Sequence, residues 1–421
     1  MLKCIFQALF QKKKNAQLMA SLEEKQVRSY QVAMIGHKRI PTQEGGVEIV
    51  VRELAKRLVT RGHHVDVYNR WDLFKKDGKV GGKSFEGVRI RQIPTLRYSK
   101  VNALIYSVLA SIRALFSPYD LLHYHAIGSC VMIWMPLLCR KKIIVTVHGL
   151  DWKRAKWNKF ASVYLKFGEW MAAHYAHEVI VLCQNNQRYF ETTYGRHTVL
   201  IPNGMEKRTK RQAELITSKY GVGVNDYILY LARIVPEKGL HYLIDAFAQI
   251  PTSKKLIIAG AIDFEDEYTQ KVLFMGKKDE RVIFTGLVTG LEWEELFSNC
   301  SIYVLPSDVE GMPMSLLEAI GFGCRCVASD IDENQEAGKS AVTYFAQSDA
   351  SDLQQKLQYL IDNPKEGFPT ADKETWADWD SVTSMTVALY DKVLTPDYHS
   401  TARAEIRAFA EQKKRSQTKH N

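Results

Sequence analysis

From residue 30 onward the apolar positions change period twice within forty residues. Tyr30–Gly36 is a short apolar run of strand length, followed by a loop through Gly45 and Gly46. Val47, Val50, Val51, Leu54, Leu58 and Val59 then recur at helical spacing up to Arg61, where Gly62 is a natural stop. His64–Tyr68 returns to the two-residue alternation of a strand. Such a β-loop-α-β unit opens a parallel sheet. Leu121–His125, Lys142–Val147 and Glu178–Cys183 continue the series as predicted strands separated by helical stretches.

The pattern restarts after residue 205. Ile201-Pro202-Asn203-Gly204 and the basic, polar Glu206–Arg211 read as a linker. Beyond it, Tyr227–Leu231, Lys255–Ala259, Val282–Phe284, Ile302–Leu305 and Arg325–Ser329 are predicted strands, with helices over Leu240–Ile250 and Met314–Gly321. Residues 376–395 are predicted helical, with Trp376, Trp379, Val382 and Leu389 on the apolar side. A chain of 421 residues is too long for one ordinary core. The predicted class is α/β: two parallel-sheet domains with a ligand cleft between them. The bounds are an extension over 1–28, domains over 29–205 and 206–375, a terminal helix over 376–395 and a polar tail over 396–421.

Charge sharpens this picture. The net charge is +10, yet residues 1–205 hold 32 Lys and Arg against 14 Asp and Glu, while the rest hold 25 against 33. A basic half marks a surface that meets polyanions. No nucleic-acid motif stands out, so an anionic bilayer or a lipid phosphate is the expected partner, not nucleic acid. Met1–Phe10 is apolar and precedes Lys12, Lys13 and Lys14, the wrong order for a secretion signal; it reads equally as an interfacial anchor or a frayed end. Seven cysteines without a Cys-x-x-Cys pair fit neither a zinc site nor a disulfide framework, and suit a reducing cytosol. Cys324 and Cys326 read as small buried residues.

Four segments carry candidate chemistry. Gly45-Gly46 would let backbone approach a phosphate at a helix start, although an ordinary tight turn explains the pair equally well, and the spacing is not the dinucleotide fingerprint. In Ala232–Gly239, Arg233 stands at a strand end and Lys238 at a helix start, where two cations could converge on a diphosphate or simply face solvent. In Pro306–Ala319, Glu310 sits in a Gly/Pro loop and Glu318 one turn into the next helix. Two such carboxylates can each take sugar hydroxyls. In Thr146–Trp157, His148-Gly149 ends a strand, where sites form in open sheets. Trp152, Lys153, Arg154, Lys156 and Trp157 follow as a basic, aromatic cluster suited to a lipid headgroup, a sugar face or a solvated helix. Asp330-Ile331-Asp332 and Asp378-Trp379-Asp380 have the form of a metal-binding Asp-x-Asp, a competitor to the Arg233/Lys238 pair.

Glu310 and Glu318 are spaced as the Glu-x7-Glu motif of retaining GT-B glycosyltransferases. With Ile201–Gly204, Arg233, Lys238 and His148-Gly149, the chain resembles glycosyltransferase family 4 over roughly residues 30–395. Met34-Ile35-Gly36-His37-Lys38-Arg39-Ile40-Pro41, Glu44-Gly45-Gly46-Val47-Glu48 and Tyr68-Asn69-Arg70 resemble the bacterial rhamnosyltransferases of capsule and cell-wall polysaccharide assembly. Neither residues 1–28 nor the tail after 396 follows the family pattern. The resemblance implies a GT-B fold of two Rossmann-like domains and a nucleotide-sugar donor, most specifically dTDP-L-rhamnose. It further implies a lipid-linked sugar acceptor, no metal or other cofactor, and work at the cytoplasmic face of a membrane. Arg233 and Lys238 would neutralise the diphosphate, aided by Gly45 and Gly46. Glu318 would hold the nucleotide's ribose, and Glu310, with Gly311 and Met312 beside it, would face the transferred sugar. His148 would lie near the reacting centre. Another nucleotide-hexose transferase of the same family (glucosyl, galactosyl or mannosyl), a nucleotide-sugar epimerase and a noncatalytic nucleotide-sugar-binding membrane scaffold are the rival readings; donor hydrolysis with and without membrane extract separates the last two from a transferase.

Overall fold

The computed structural model describes residues 28–42, 45–72, 82–95, 102–153, 159–368 and 376–398. The first domain is built on eight strands: β1 (Gln31–Ile35), β2 (His64–Asp72), β3 (Ser84–Phe85), β4 (Val88–Thr95), β5 (Leu121–His125), β6 (Lys142–Val147), β7 (Glu178–Val181) and β8 (Val199–Leu200). Their order is β3-β4-β2-β1-β5-β6-β7-β8, parallel except for the β3–β4 pair. The second domain carries β9 (Tyr227–Leu231), β10 (Lys255–Ala259), β11 (Val282–Gly286), β12 (Ile302–Leu305), β13 (Cys326–Ser329) and β14 (Val342–Phe345), all parallel, in the order β11-β10-β9-β12-β13-β14. The expected pair of parallel-sheet domains is therefore present.

Central strands covered on both faces must be apolar throughout, and Val32–Ile35, Ile228–Tyr230 and Ile302–Leu305 are solvent-free. The additional pair β3–β4 lies at a sheet edge where arginines dilute the apolar alternation. Arg89 and Arg91 there ion-pair with Asp66 of β2, Arg91 at 2.7 Å. The helix after β9 stops at Ala248 rather than Ile250. Ile250 precedes Pro251, and the residue before proline is pushed out of helical geometry.

The last helix, Trp379–Leu394, lies against the first domain. Arg61 Nη1 donates to Ser384 Oγ at 2.9 Å, Tyr390 OH meets His123 Nδ1 at 2.7 Å, and Lys392 pairs with Glu178 at 3.0 Å. One apolar cluster runs from Val32 and Leu54 of the first domain to Leu229 and Leu305 of the second, and includes Trp379 and Val393. The terminal helix thus ties the two domains, which meet with the carboxyl ends of β6, β9 and β12 near their junction. The extension Met1–Lys14, Glu44 and the tail from residue 399 lie outside the described residues.

Candidate functional site

The site is assembled by close backbone approaches. After β9 the chain makes a 3-10 turn over Pro236–Lys238 and enters the helix Leu240–Ala248 through Gly239 at φ 64°. A β-carbon at Gly239 would overlap the carbonyl oxygen of Pro306, so only glycine lets the two loops touch. Asp308 N donates to Glu237 O at 2.9 Å and closes the same seam. The result is that Lys238 and Glu310 form an ion pair whose side chains are 12% and 8% exposed.

The first domain meets this pair at His148-Gly149. Gly149 has φ +155°, and a β-carbon on Gly311 would overlap the His148 carbonyl oxygen. Gly149, Leu150, Arg233, Glu237, Lys238, Val309, Glu310 and Gly311 line one small cavity. Two cations and a loop backbone thus face a common space. Glu237 is also there, 6% exposed, with neither carboxylate oxygen hydrogen-bonded.

His148 lies against Gly311 through its backbone, its Nε2 3.1 Å from Nδ1 of His125. Behind His125 lies His123, ring centroids 4.2 Å apart. Burial, followed by the neighbouring His123, His148 and His37, drives the His125 pKa well below 6.5; burial lowers that of His123 to about 3. Both inner imidazoles are therefore neutral, and His125 acts as a fixed partner for His148.

Glu318 occupies a second part of the cleft, one turn into the helix Met314–Gly321. Burial raises its carboxyl to about 7, against the pull of Arg208 and Arg52, with Glu53 adding to the rise. Arg52 and Glu53 belong to the helix Gly46–Thr60 of the first domain, so Glu318 faces that helix across the cleft. Gly46 stands over Met314, whose Cγ would be 3.5 Å from an added β-carbon. The start of the Gly46–Thr60 helix is already occupied by its own Glu48. That carboxylate accepts Lys38 N at 2.9 Å and lies where a Gly45 side chain would go. Met312 packs on the linker: its sulfur accepts Asn203 N at 3.1 Å.

The stretches Met34–Pro41 and Tyr68–Arg70 form one unit. Asn69 accepts from Ile40 N at 3.1 Å, donates to Ile40 O at 2.7 Å and meets His37 Nε2 at 3.0 Å, while Arg70 N donates to Lys38 O at 2.7 Å. Their first role is to hold the loop that precedes Gly45.

Arg233, Lys238, Glu310 and Gly311 thus share one cavity, with His148 beside them and Gly45, Gly46, Met312 and Glu318 further along the cleft. Trp152 requires a correction. Its indole Nε1 donates to the buried Glu169 at 3.0 Å and its ring packs on the first-domain core, so it is a packing residue rather than a free membrane contact. Burying an aromatic body while satisfying its N–H outweighs exposure. Lys153 closes the 3-10 turn Asp151–Lys153, and Arg154, Lys156 and Trp157 lie outside the described residues. Of the Asp-x-Asp pairs, Asp378 caps the terminal helix through Ser381 N at 2.7 Å, and Asp330 accepts Gln347 N at 2.9 Å. Arg52, Arg208, Glu237, Asn185 and Asn186 also border the cleft. Sequence patterning passed over them because each sits in an ordinary helix, linker or turn; only Arg208 lay in a basic run.

Comparison with known proteins bears on the family and the fold. Residues 44–208 match the family model "Glycosyltransferase Family 4", and residues 215–372 match "Glycosyl transferases group 1". An uncharacterized glycosyltransferase of Methanocaldococcus jannaschii is 24% identical over 387 residues, spanning 85% of this chain and 97% of the relative. Among solved structures, sucrose-phosphate synthase from Thermosynechococcus elongatus superposes with a TM-score of 0.73 at 19% identity, covering 87% of this chain and 99% of that one. The Anabaena protein HepE, solved in complex with UDP and glucose, gives 0.65 at 18% identity, covering 89% and 99%.

Proposed function

Because this chain is a GT-B glycosyltransferase of the family 4 type, we propose that it moves L-rhamnose from dTDP-L-rhamnose, with retention of configuration, onto a lipid-linked saccharide in bacterial surface polysaccharide synthesis. The observation that carries the chemistry is the cavity holding Arg233 and the Lys238–Glu310 pair against Gly149 and Gly311. A diphosphate entering it takes Lys238 as its counterion, which releases the Glu310 carboxylate for the hydroxyls of the sugar. Charge grows on the departing diphosphate as the bond to the anomeric carbon breaks, and preorganised cations are the means of stabilising it. The acceptor hydroxyl adds on the same face and its proton passes to the departing phosphate oxygen, so no protein nucleophile and no metal is required. The neighbour solved with UDP and glucose supports a nucleoside diphosphate sugar as the donor class.

The donor sugar rests on the resemblance of Met34–Pro41 and Glu44–Glu48 to polysaccharide rhamnosyltransferases. Location at the inner membrane face rests on the basic first half and on one helix. Lys159–Tyr175 exposes Phe160, Val163, Phe167 and Trp170 along a single stripe, with Phe160 81% exposed. No helix among the described residues is long and apolar enough to cross a membrane, so this face would lie on the bilayer surface.

The test is kcat/KM for dTDP-rhamnose, UDP-glucose, UDP-galactose and GDP-mannose on one lipid-diphosphate-linked sugar, with products identified by mass spectrometry. Rhamnose has a methyl where glucose has a hydroxymethyl, and an apolar pocket rejects an added hydroxyl by only about 100-fold. Slow use of glucose donors is therefore expected. A faster rate with any of the other three ends the rhamnosyl assignment and leaves hexosyl transfer standing.

A further inference from the structure

Beside the Arg233–Lys238 cavity lies a larger one of about 340 Å³, and the two share Leu150, Val309 and Glu310. Its wall carries Asp308, Glu310, Asp330, Asp332 and Glu333, and among the described residues no Lys, Arg or His lines it. The carboxylates come from the second domain, whereas Asn186 enters from the first-domain helix Gln184–Tyr194. Asn186 is 2% exposed, and its Nδ2 has no hydrogen-bond partner. A buried amide donor left open in this way calls for an acceptor atom from whatever fills the cavity. The domains also touch at the rim: Asn185 Nδ2 donates to Glu333 at 3.1 Å and Gln184 N to Glu336 at 2.8 Å. The cavity is thus formed by the meeting of the domains.

The chemistry of the wall selects its occupant. No three His, Cys, Asp or Glu side chains among the described residues are grouped to hold a metal ion. The volume falls in the range of small-ligand sites. Hydroxyl groups are the donors that several carboxylates can satisfy together, and a ring or hydroxyl oxygen satisfies Asn186 Nδ2. Some of this acceptor capacity is internally used: Asp308 takes Ser348 Oγ at 2.7 Å, Asp330 takes Gln347 N at 2.9 Å, Lys238 neutralises Glu310, and the exposed Arg188 guanidinium stands 3.7 Å from Asp332. The remaining negative charge repels a phosphate or a second carboxylate. The donor diphosphate belongs with Arg233 and Lys238, so this neighbouring space suits the partner whose reacting end carries no phosphate.

We infer that this cavity seats the terminal sugar of the acceptor, and that it admits an uncharged or amino sugar while turning away an acidic one. The inference rests on the glycosyltransferase reading above and names the acceptor class for it. The reacting hydroxyl is then presented across Glu310, the wall common to both cavities.

The experiment uses the full chain and three short-chain lipid diphosphates ending in glucose, glucosamine or glucuronic acid, with the best donor from the four-sugar panel. Glucose and glucosamine should be glycosylated, and glucuronate at least about 100-fold less efficiently. The double variant Asp330→Asn, Asp332→Asn should narrow that gap by about tenfold. Asn186→Ala should raise the acceptor KM by about tenfold while the donor KM stays. Glucuronate used within about threefold of glucose overturns the inference, as does a donor KM that moves in place of the acceptor KM. Asp332 is exposed, so the aspartate variants test the charge argument even if Asn186→Ala does not fold. A protein that neither transfers nor hydrolyses any of the four donors removes the enzyme reading and this subsite with it. One that transfers without discriminating among the acceptors removes the subsite alone.

Discussion

Replacing Glu318 by glutamine should make the protein more stable near pH 8 and a poorer enzyme. Burial in the cleft raises the carboxyl from 4.5 to about 7, only partly offset by Arg208 and Arg52. The folded state therefore holds this proton more tightly than the unfolded chain. Stability associated with the group is present below pH 4.5 and is lost as the pH rises through 7, because the unfolded state binds fewer protons across that window. The shift corresponds to about 3 kcal/mol of destabilisation above pH 7, an upper figure because the side chain keeps some contact with solvent. Glutamine keeps the shape without the charge. Thermal melts at pH 5, 6, 7 and 8 should show wild type and Glu318→Gln diverging with pH, the variant higher by up to about 4 °C at pH 8. The opposite effect is expected on binding. In the proposed donor placement ribose hydroxyls would donate to the ionised carboxylate, and losing charge-assisted bonds of about 1.5–3 kcal/mol would raise the donor KM roughly 10- to 150-fold. Wild-type donor KM should also fall as the pH rises through 7. Parallel melts at every pH, or an unchanged donor KM, would refute the reasoning.

Three other outcomes follow from the same cleft. Transfer should survive excess EDTA, since Arg233 and Lys238 supply the positive charge; loss of activity restored by Mg2+ or Mn2+ contradicts this. Lys238→Ala should lower kcat/KM at least about tenfold, because a phosphate contact is lost and Glu310 is left nearly buried without its counterion; steady-state rates below donor saturation decide it, and near-wild-type turnover rejects the assignment. Flotation with vesicles should depend on anionic lipid and weaken in high salt, each basic residue near the surface adding about 1 kcal/mol. Indifference to anionic vesicles at low salt assigns the basic half another partner.

The parallel-sheet architecture could be read from the chain because buried parallel strands leave a strong local signature. Leu121–His125, Lys142–Val147, Tyr227–Leu231, Lys255–Ala259, Ile302–Leu305 and Met314–Gly321 occupy the spans their apolar runs predict. The edge pair β3–β4 could not be read in the same way, because Arg89 and Arg91 interrupt its apolar alternation and reach Asp66, a partner more than twenty residues away. Trp152 was misleading for a related reason. An aromatic beside lysines looks like a surface group, and only the tertiary position of Glu169 turns it inward.

The candidate site divides along the same line. Arg233, Lys238, Glu310 and Glu318 lie in segments whose spacing carries information, at strand ends and helix starts. What brings them together is not in any one segment. Gly239 can touch Pro306, and Gly311 can touch His148, only because neither has a β-carbon. These two glycines set the width of the cavity from opposite sides: the first closes the two loops of the second domain, and the second lets the first domain reach them. Read locally, each is a turn residue. Their joint effect is to hold two cations, Arg233 and Lys238, and two carboxylates, Glu237 and Glu310, around one small space, where the paired Lys238 and Glu310 side chains are only 12% and 8% exposed. On the proposed donor placement, a diphosphate replacing Glu310 at Lys238 would meet a counterion already largely stripped of solvent. That preorganisation is a property of backbone contacts between distant glycines, so side-chain motifs reveal which groups act and tertiary contact determines how strongly they can act.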